Sequence, residues 1–399
     1  MQRRQLLKAA ALAAAPSLIG GRLLAAPSAG GRLLVVFLRG AYDCASVLAP
    51  VDSPFYHEAR PTIAIPAPDP LNPNAAMALG GGWGLHPALK DPLAPLWERG
   101  ELAFIPFAGT DDLSRSHFET QNAIERGSPS GMGPSSGFSS GFMARLNHVL
   151  GGVRPIAFTD QLPLIFQGEG PVPNMAVNVN GKPGVDERQA KLIQGMYRRT
   201  GLSGAVKEGF EVRDEVYRSV ALEMAKADRG APSPRGFELS ARRIARLMKS
   251  DYNLGFVDVG GWDTHVNQGA ASGYLAGRLS ELGRGLAAYA EELGPDAWRS
   301  SVVMVVSEFG RTFRENGDKG TDHGHGSVYW ALGGGVKGGR VLGRTVEVTP
   351  ASLNQNRDYP VLNEYRAVFA GLFRGLYGLS RDRLGEVFPG VEPLDLQIV

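Results

Sequence analysis

His117, His265, His323 and His325, four of the seven histidines, stand with several acids just beyond apolar stretches of the chain. Gly255-Phe256-Val257-Asp258-Val259 runs into Gly260-Gly261-Trp262-Asp263-Thr264-His265. Ser301-Val302-Val303-Met304-Val305-Val306 runs into Ser307-Glu308-Phe309-Gly310-Arg311-Thr312, and a short loop follows with Gly320-Thr321-Asp322-His323-Gly324-His325. Carboxylate and imidazole are the donors that zinc, manganese or iron accept. In an open α/β sheet, ligands bind outside the carboxyl ends of the strands. These residue types at strand ends therefore point to a divalent metal and to hydrolytic chemistry.

Each residue also has a structural explanation. Asp263 and His265 are two apart and share a side if the chain is extended there; otherwise they are a capping acid and a surface histidine. Glu308, the first charge after its strand, is a ligand or a turn cap. Arg311 either clamps an anionic oxygen in two-pronged fashion or pairs with Glu308. Asp322, His323 and His325 offer three donors within one glycine-flanked loop, the strongest local signal, with a plain surface loop as the alternative. Asp43 lies one short turn past the first apolar run and joins the cluster if that strand is central, or else caps a helix.

A hydrolase needs a nucleophile, either a side chain or activated water. Ser114 and Ser116 precede a helix, where free N–H groups stabilise an anion. Ser116-His117-Phe118-Glu119 also fits a capping box, which explains Ser116 without any chemistry. His117 is open as ligand, base or packed aromatic. Gly333-Gly334-Gly335-Val336-Lys337 lacks the Ser/Thr ending of a phosphate-binding loop and reads as a turn.

Arg32-Leu33-Leu34-Val35-Val36-Phe37-Leu38 is a continuous apolar run, the mark of a strand buried on both faces. Further strands are expected over 101–106, 255–259, 301–306 and 328–332, with short ones near Ile156 and Leu164. Helices are expected over 87–99, up to Arg126, 142–150, 274–293 and 363–377. Alternation of this kind specifies a doubly wound, mostly parallel α/β sheet. Residues 127–141 are mostly Gly, Ser and Pro, a loop or lid. Over 186–250 apolar residues recur at helical spacing (Val212, Val216, Val220, Met224), which reads as an inserted helical subdomain or, equally, as two solvated helices packed on the edge of the core.

Composition sets outer limits. With 399 residues, 43% of them hydrophobic and 21% charged, the chain can fill a large α/β core. A net charge of +2 with no basic stripe argues against a nucleic-acid partner. Cys44 is the one cysteine, so any metal is held by oxygen and nitrogen rather than thiolate. Arg3-Arg4-Gln5-Leu6-Leu7-Lys8 is a twin-arginine pattern, followed by an alanine-rich stretch and small residues up to about 30. This predicts a signal peptide over 1–30, a passage through the twin-arginine translocase in folded form, and a periplasmic or envelope location. The apolar run holds Pro and Gly and is too short for a stable membrane span.

Five segments together carry a family resemblance: Val36-Phe37-Leu38-Arg39-Gly40-Ala41-Tyr42-Asp43, Ser114-Arg115-Ser116-His117-Phe118, Gly260 to His265, Ser307 to Thr312 and Gly320 to His325. Over nearly its whole length the chain resembles a family of twin-arginine-exported bacterial proteins, domain of unknown function 1501, placed in the alkaline phosphatase and sulfatase superfamily. The resemblance implies an alkaline phosphatase-like domain over 31–399 and a divalent metal such as zinc or manganese. It implies Asp43 and Glu308 as acids of one site, Asp263 with His265 in a second, and His323 or His325 as a last imidazole. Phe309 stands where the superfamily's late histidine would be, and Asp263 and His265 are closer than its usual spacing. The metal count is thereby left at two, one or none. Ser114 and Ser116 match the nucleophile only by order in the chain. The expected function is an exported metal-dependent hydrolase of phosphate or sulfate esters, small or polymeric. A catalytically silent scaffold on the same fold, or an anion-binding protein using Arg39 and Arg311, are the alternatives.

Overall fold

The computed structural model describes residues 30–129, 138–168, 170–176 and 236–399. The twin-arginine segment, most of the Gly/Ser/Pro loop and the insertion up to 235 lie outside the described residues. In chain order the strands are β1 (Arg32–Leu38), β2 (Leu48–Ala49), β3 (Met77–Gly80), β4 (Trp83–Leu85), β5 (Leu102–Gly109), β6 (Pro155–Ala157), β7 (Leu254–Val259), β8 (Ser301–Ser307), β9 (Ser327–Leu332), β10 (Arg340–Val341) and β11 (Asn363–Glu364). The helices are α1 (Cys44–Val47), α2 (Pro54–Ala59), α3 (Pro87–Glu98), α4 (His117–Arg126), α5 (Phe142–Leu150), α6 (Phe237–Ser250), α7 (Tyr274–Arg299), α8 (Tyr365–Tyr377) and α9 (Arg381–Val387). Leu164–Phe166, expected as a strand, is a short 3-10 turn.

The central sheet runs β10-β5-β9-β8-β1-β7-β6, with β11 also paired to β5. Pairing is parallel throughout except where β9 meets β5 and β8. This is the doubly wound, mostly parallel α/β sheet expected from the alternation of strands and helices. The reversal at β9 has a simple cause. Gly320 to His325 lies in the connection from β8 to β9, and a direct return at one edge of a sheet forces the next strand to run antiparallel. A separate three-stranded antiparallel sheet, β2-β4-β3, was not expected from the sequence.

Alternation along β1 divides the core. Leu34, Val36 and Leu38 face one cluster with α3, α6 and α7; Leu33, Val35 and Phe37 face another with α5, α8 and α9. Burying each such side chain contributes roughly 1.5–3 kcal/mol, and it explains why the strand reads as a continuous apolar run. The apolar face of α6 (Phe237, Ala241, Ile244, Ala245, Met248) belongs to the first cluster, so this end of the proposed insertion packs on the sheet. Helix α7 breaks at Gly294, ahead of Pro295, and then continues to Arg299. Among the described residues no helix is long and apolar enough to cross a membrane.

Register makes the site. Leu38 pairs with Val259 on one side and Ser307 on the other, so β1, β7 and β8 end level. Arg39, Gly260 and Glu308 therefore leave the sheet at one edge. Asp258 is the only charge inside β7, and it meets Arg39 Nε at 2.8 Å. A one-residue slip of that strand would turn the carboxylate to the opposite face, away from its partner. The β5–α4 loop and the β8–β9 loop reach the same edge.

Candidate metal centre

Four side chains converge there. Asp263 and His265 come from the loop after β7, His117 is the first residue of α4, and His323 lies in the β8–β9 loop. His323 Nε2 is 3.0 Å from His117 Nε2 and 3.2 Å from His265 Nε2. Asp263 Oδ1 is 2.9 Å from His265 Nε2 and 3.5 Å from His323 Nε2, while Oδ2 is 3.7 Å from His117 Nε2. Donor atoms of His117, Asp263 and His323 all lie within 4.8 Å of one another.

Each imidazole is held through its far nitrogen. His117 Nδ1 lies 2.7 Å from Glu308 Oε1, His323 Nδ1 3.1 Å from the Arg115 carbonyl, and His265 Nδ1 3.2 Å from Asp322 Oδ1. All three partners accept, so each Nδ1 donates; neutral His117 and His323 then present a lone pair at Nε2, while His265 Nε2, 2.9 Å from Asp263 Oδ1, donates to that carboxylate. Lone pairs 3.0 Å apart repel unless a proton or a cation stands between them. Asp263 Oδ2 tells these apart: it is buried and has no hydrogen-bond partner among the described residues. A shared proton between two rings leaves that oxygen orphaned, whereas a cation among His117, His323 and Asp263 satisfies it. The residues present fit a divalent ion held by nitrogen and oxygen.

Arg311 fixes the carboxylate. It is 2% exposed. Nε donates to Ala41 O at 2.6 Å, Nη1 to Thr321 O at 3.2 Å, and Nη2 to Gly40 O at 3.1 Å and to Asp263 Oδ1. Its fork is spent inside the protein, on Asp263 rather than on Glu308. Burial alone would disfavour the Asp263 anion. Arg311, and after it the hydrogen bond from His265, outweigh it and hold the carboxyl far below the usual range. Gly40 permits the approach: its φ is +110°, and a Cβ there would lie 2.9 Å from Asp263 N. Gly324 plays the same part in the histidine loop, where a Cβ would meet the Arg311 backbone at 2.4 Å.

Glu308 stands one bond outside the cluster. Its Oε1 accepts from His117, from Gln121 Nε2 at 2.8 Å and from Gly40 N at 2.8 Å; Oε2 accepts from Ser307 Oγ at 2.9 Å. Burial raises its pKa, but these donors, His117 first, bring it down to about 2. Asp322 likewise serves as the outer partner of His265.

Asp43, His325 and the two serines lie apart from the four. Asp43 is fully buried and spoken for: Arg60 Nη1 and Nη2 reach it at 2.6 and 3.0 Å, Ser46 Oγ at 2.6 Å and Gln268 Nε2 at 2.7 Å. His325 is buried, and burial keeps its pKa below the ordinary imidazole value. Ser114 Oγ accepts from Ser116 N at 3.2 Å, and Ser116 Oγ accepts from Glu119 N as the N-cap of α4. Phe309 packs its ring 4.8 Å from that of His117 and 5.4 Å from that of His323, forming an apolar wall. His117 is the donor to which the sequence attached no definite role. Its signals were a place directly after a capping serine in the loop that follows β5, and membership of one of the five segments that carry the family resemblance.

Among curated proteins none matches the chain. Among solved structures it is similar to a protein in the alkaline phosphatase superfamily from Vibrio parahaemolyticus, at 13% identity and a TM-score of 0.36, covering 76% of this chain and 60% of that one. It thus spans 60% of that relative's length. It is also similar to Ps i-CgsB in complex with k-i-k-neocarrahexaose, at 10% identity and a TM-score of 0.42, covering 92% of this chain and 75% of that one. A family model described as protein of unknown function (DUF1501) matches residues 31–388.

Proposed function

The chain belongs to the DUF1501 family, and from that premise we propose that it is a metal-dependent hydrolase with one divalent ion held by His117, Asp263 and His323. The observation that carries this is the orphaned Asp263 Oδ2 facing imidazoles whose Nδ1 atoms are already anchored. Three protein donors with a position left open is the usual form of a catalytic site, and nitrogen with carboxylate oxygen suits zinc or manganese. A divalent ion bound there supplies Lewis acidity and lowers the pKa of water.

The protein's own groups do the rest. Arg311 keeps Asp263 ionised and aimed. Glu308 and the Arg115 carbonyl keep His117 and His323 in the tautomer that offers Nε2. His265, the most open of the three rings at 24% side-chain exposure, gives or takes a proton at Nε2 beside Asp263. Ser114 and Ser116 each have a structural role, in the turn and as the cap of α4, and the attack is assigned to water rather than to either of them. The substrate class, a phosphate or sulfate ester of a small molecule or a polymer, rests on the resemblance of the five sequence segments. The twin-arginine pattern supports a periplasmic or envelope site of action, reached through the translocase.

The test is a panel of phosphomonoesters, phosphodiesters and sulfate esters assayed with zinc or manganese. Turnover is expected to vanish in His117→Ala and His323→Ala and to survive in Ser114→Ala and Ser116→Ala. Loss in a serine variant with retention in both histidine variants overturns the assignment; no turnover with any ester favours the silent scaffold.

A further inference from the structure

We infer that Arg115 and Asp358 are positioning residues for His323: their ion pair holds residue 115 in a left-handed backbone conformation whose carbonyl sets the tautomer and aim of that imidazole. The inference rests on the proposal that His323 Nε2 is a metal ligand.

Arg115 has φ +54°, a region that residues bearing a Cβ rarely occupy. The turn around it is built by side chains: Ser114 N donates to Asp112 Oδ1 at 2.8 Å and Ser116 N to Ser114 Oγ at 3.2 Å. With the peptide turned this way, Arg115 O accepts from His323 Nδ1 at 3.1 Å. Strained backbone of this kind persists only where its surroundings over-determine it.

The guanidinium provides that hold. Arg115 Nε and Nη2 each lie 3.1 Å from Asp358 Oδ2, and Nη2 donates to Gln355 Oε1 at 3.2 Å. Asp358 is fully buried and receives Asn354 Nδ2 at 3.3 Å on its other oxygen. Gln355 and Asn356, in the same loop, are themselves left-handed at φ +53° and +54°. Two strained loops thus face each other across one ion pair.

Backbone bridges close the circuit. Arg311 bridges His323, and the next residue, Thr312, bridges Asp358. Donor and acceptor of the His323–Arg115 bond are therefore referenced to one stretch of chain, the stretch that also carries the Asp263 clamp. Because its fork is committed to Asp358 and Gln355, Arg115 is placed to act through its backbone rather than on a substrate.

The experiment uses the full chain, free of metal, with 15N-labelled histidine at pH 8, and reads the His323 tautomer from two-bond 15N–1H correlations. Cobalt(II) titration gives affinity in parallel. Wild type is expected to show protonated Nδ1 and bare Nε2. Arg115→Ala and Asp358→Asn are expected to give mixed tautomers and cobalt affinity weaker by about 10–100-fold, the usual range for outer partners of metal ligands. Arg115→Gly, which enters the left-handed region without penalty, should keep the tautomer and stay within about threefold of wild type. Folded Arg115→Ala with wild-type tautomer and affinity overturns the inference, as does a glycine variant as impaired as the alanine one. If Asp358→Asn does not fold, the two Arg115 variants decide. Wild type that binds no cobalt defeats the metal-centre proposal alone, and the tautomers then decide the positioning role.

Discussion

His117 Nδ1 and Glu308 Oε1 meet at 2.7 Å, joining residues 191 positions apart at the carboxyl edge of the sheet. One carboxylate oxygen there takes donors from α4, from the turn after β1 and from His117 itself. Glu308→Gln keeps the shape and removes the charge. It is expected to weaken metal affinity by about 10–100-fold, as loss of an outer partner does, while far-ultraviolet circular dichroism stays unchanged. Isothermal titration checks it; unchanged affinity would mean that Glu308 merely fills space.

Arg311→Lys tests geometry at constant charge. An ammonium cannot reproduce a fork that serves Ala41, Gly40, Thr321 and Asp263 together. The buried Asp263 anion then loses its clamp, and urea unfolding should show a loss of about 1–3 kcal/mol from the hydrogen-bonding groups left unsatisfied. A loss within experimental scatter contradicts the clamp.

The Asp43–Arg60 pair sets an acid limit on stability. Burial raises the Asp43 pKa, but Arg60, Ser46 and Gln268 outweigh it, so the folded value lies below the unfolded one. A depressed carboxyl stabilises fully above its unfolded pKa of about 3.9, and that contribution is lost as pH falls through the folded value. Asp43→Asn should therefore be less stable than wild type at pH 7, by about 3–5 kcal/mol for a broken buried pair. The gap should narrow as wild type is taken below about pH 4. Urea midpoints of both proteins between pH 7 and pH 3 measure it; a gap that widens on acidification reverses the sign assigned here.

Cys44 reports on the core beneath the site. Burial, with Asp43 beside it, pushes the thiol up to about 12, and Sγ lies 3.8 Å from Gly326 O. As the chain's one cysteine it should resist a thiol reagent at pH 8 in the native protein and react fully in denaturant. Rapid labelling of the native protein would place α1 at the surface.

Much of the scaffold was legible for a physical reason. Strands β1, β8 and β9 are buried on both faces and so read as continuous apolar runs, and α4 begins at a capping serine and ends at Gly127 in the left-handed region. Gathering of acids and imidazoles after β7 and β8 was legible as local clustering. Two things were not. His117 reaches His323 because β5 lies beside β9 in the sheet, and strand order leaves no mark on hydrophobic periodicity. Asp43 follows β1 much as Asp263 follows β7, yet Arg60 on the far side of α2 takes its carboxylate, and nothing near Asp43 in sequence announces that partner.

Metal content of the purified protein is the most direct trial of the proposed centre. After growth in metal-replete medium and gel filtration, elemental analysis should find one zinc or manganese per chain in wild type. His117→Ala and Asp263→Asn, folded by circular dichroism, should carry well under half of that. Metal-free wild type that also takes up none on addition, or equal loading in both variants, contradicts it.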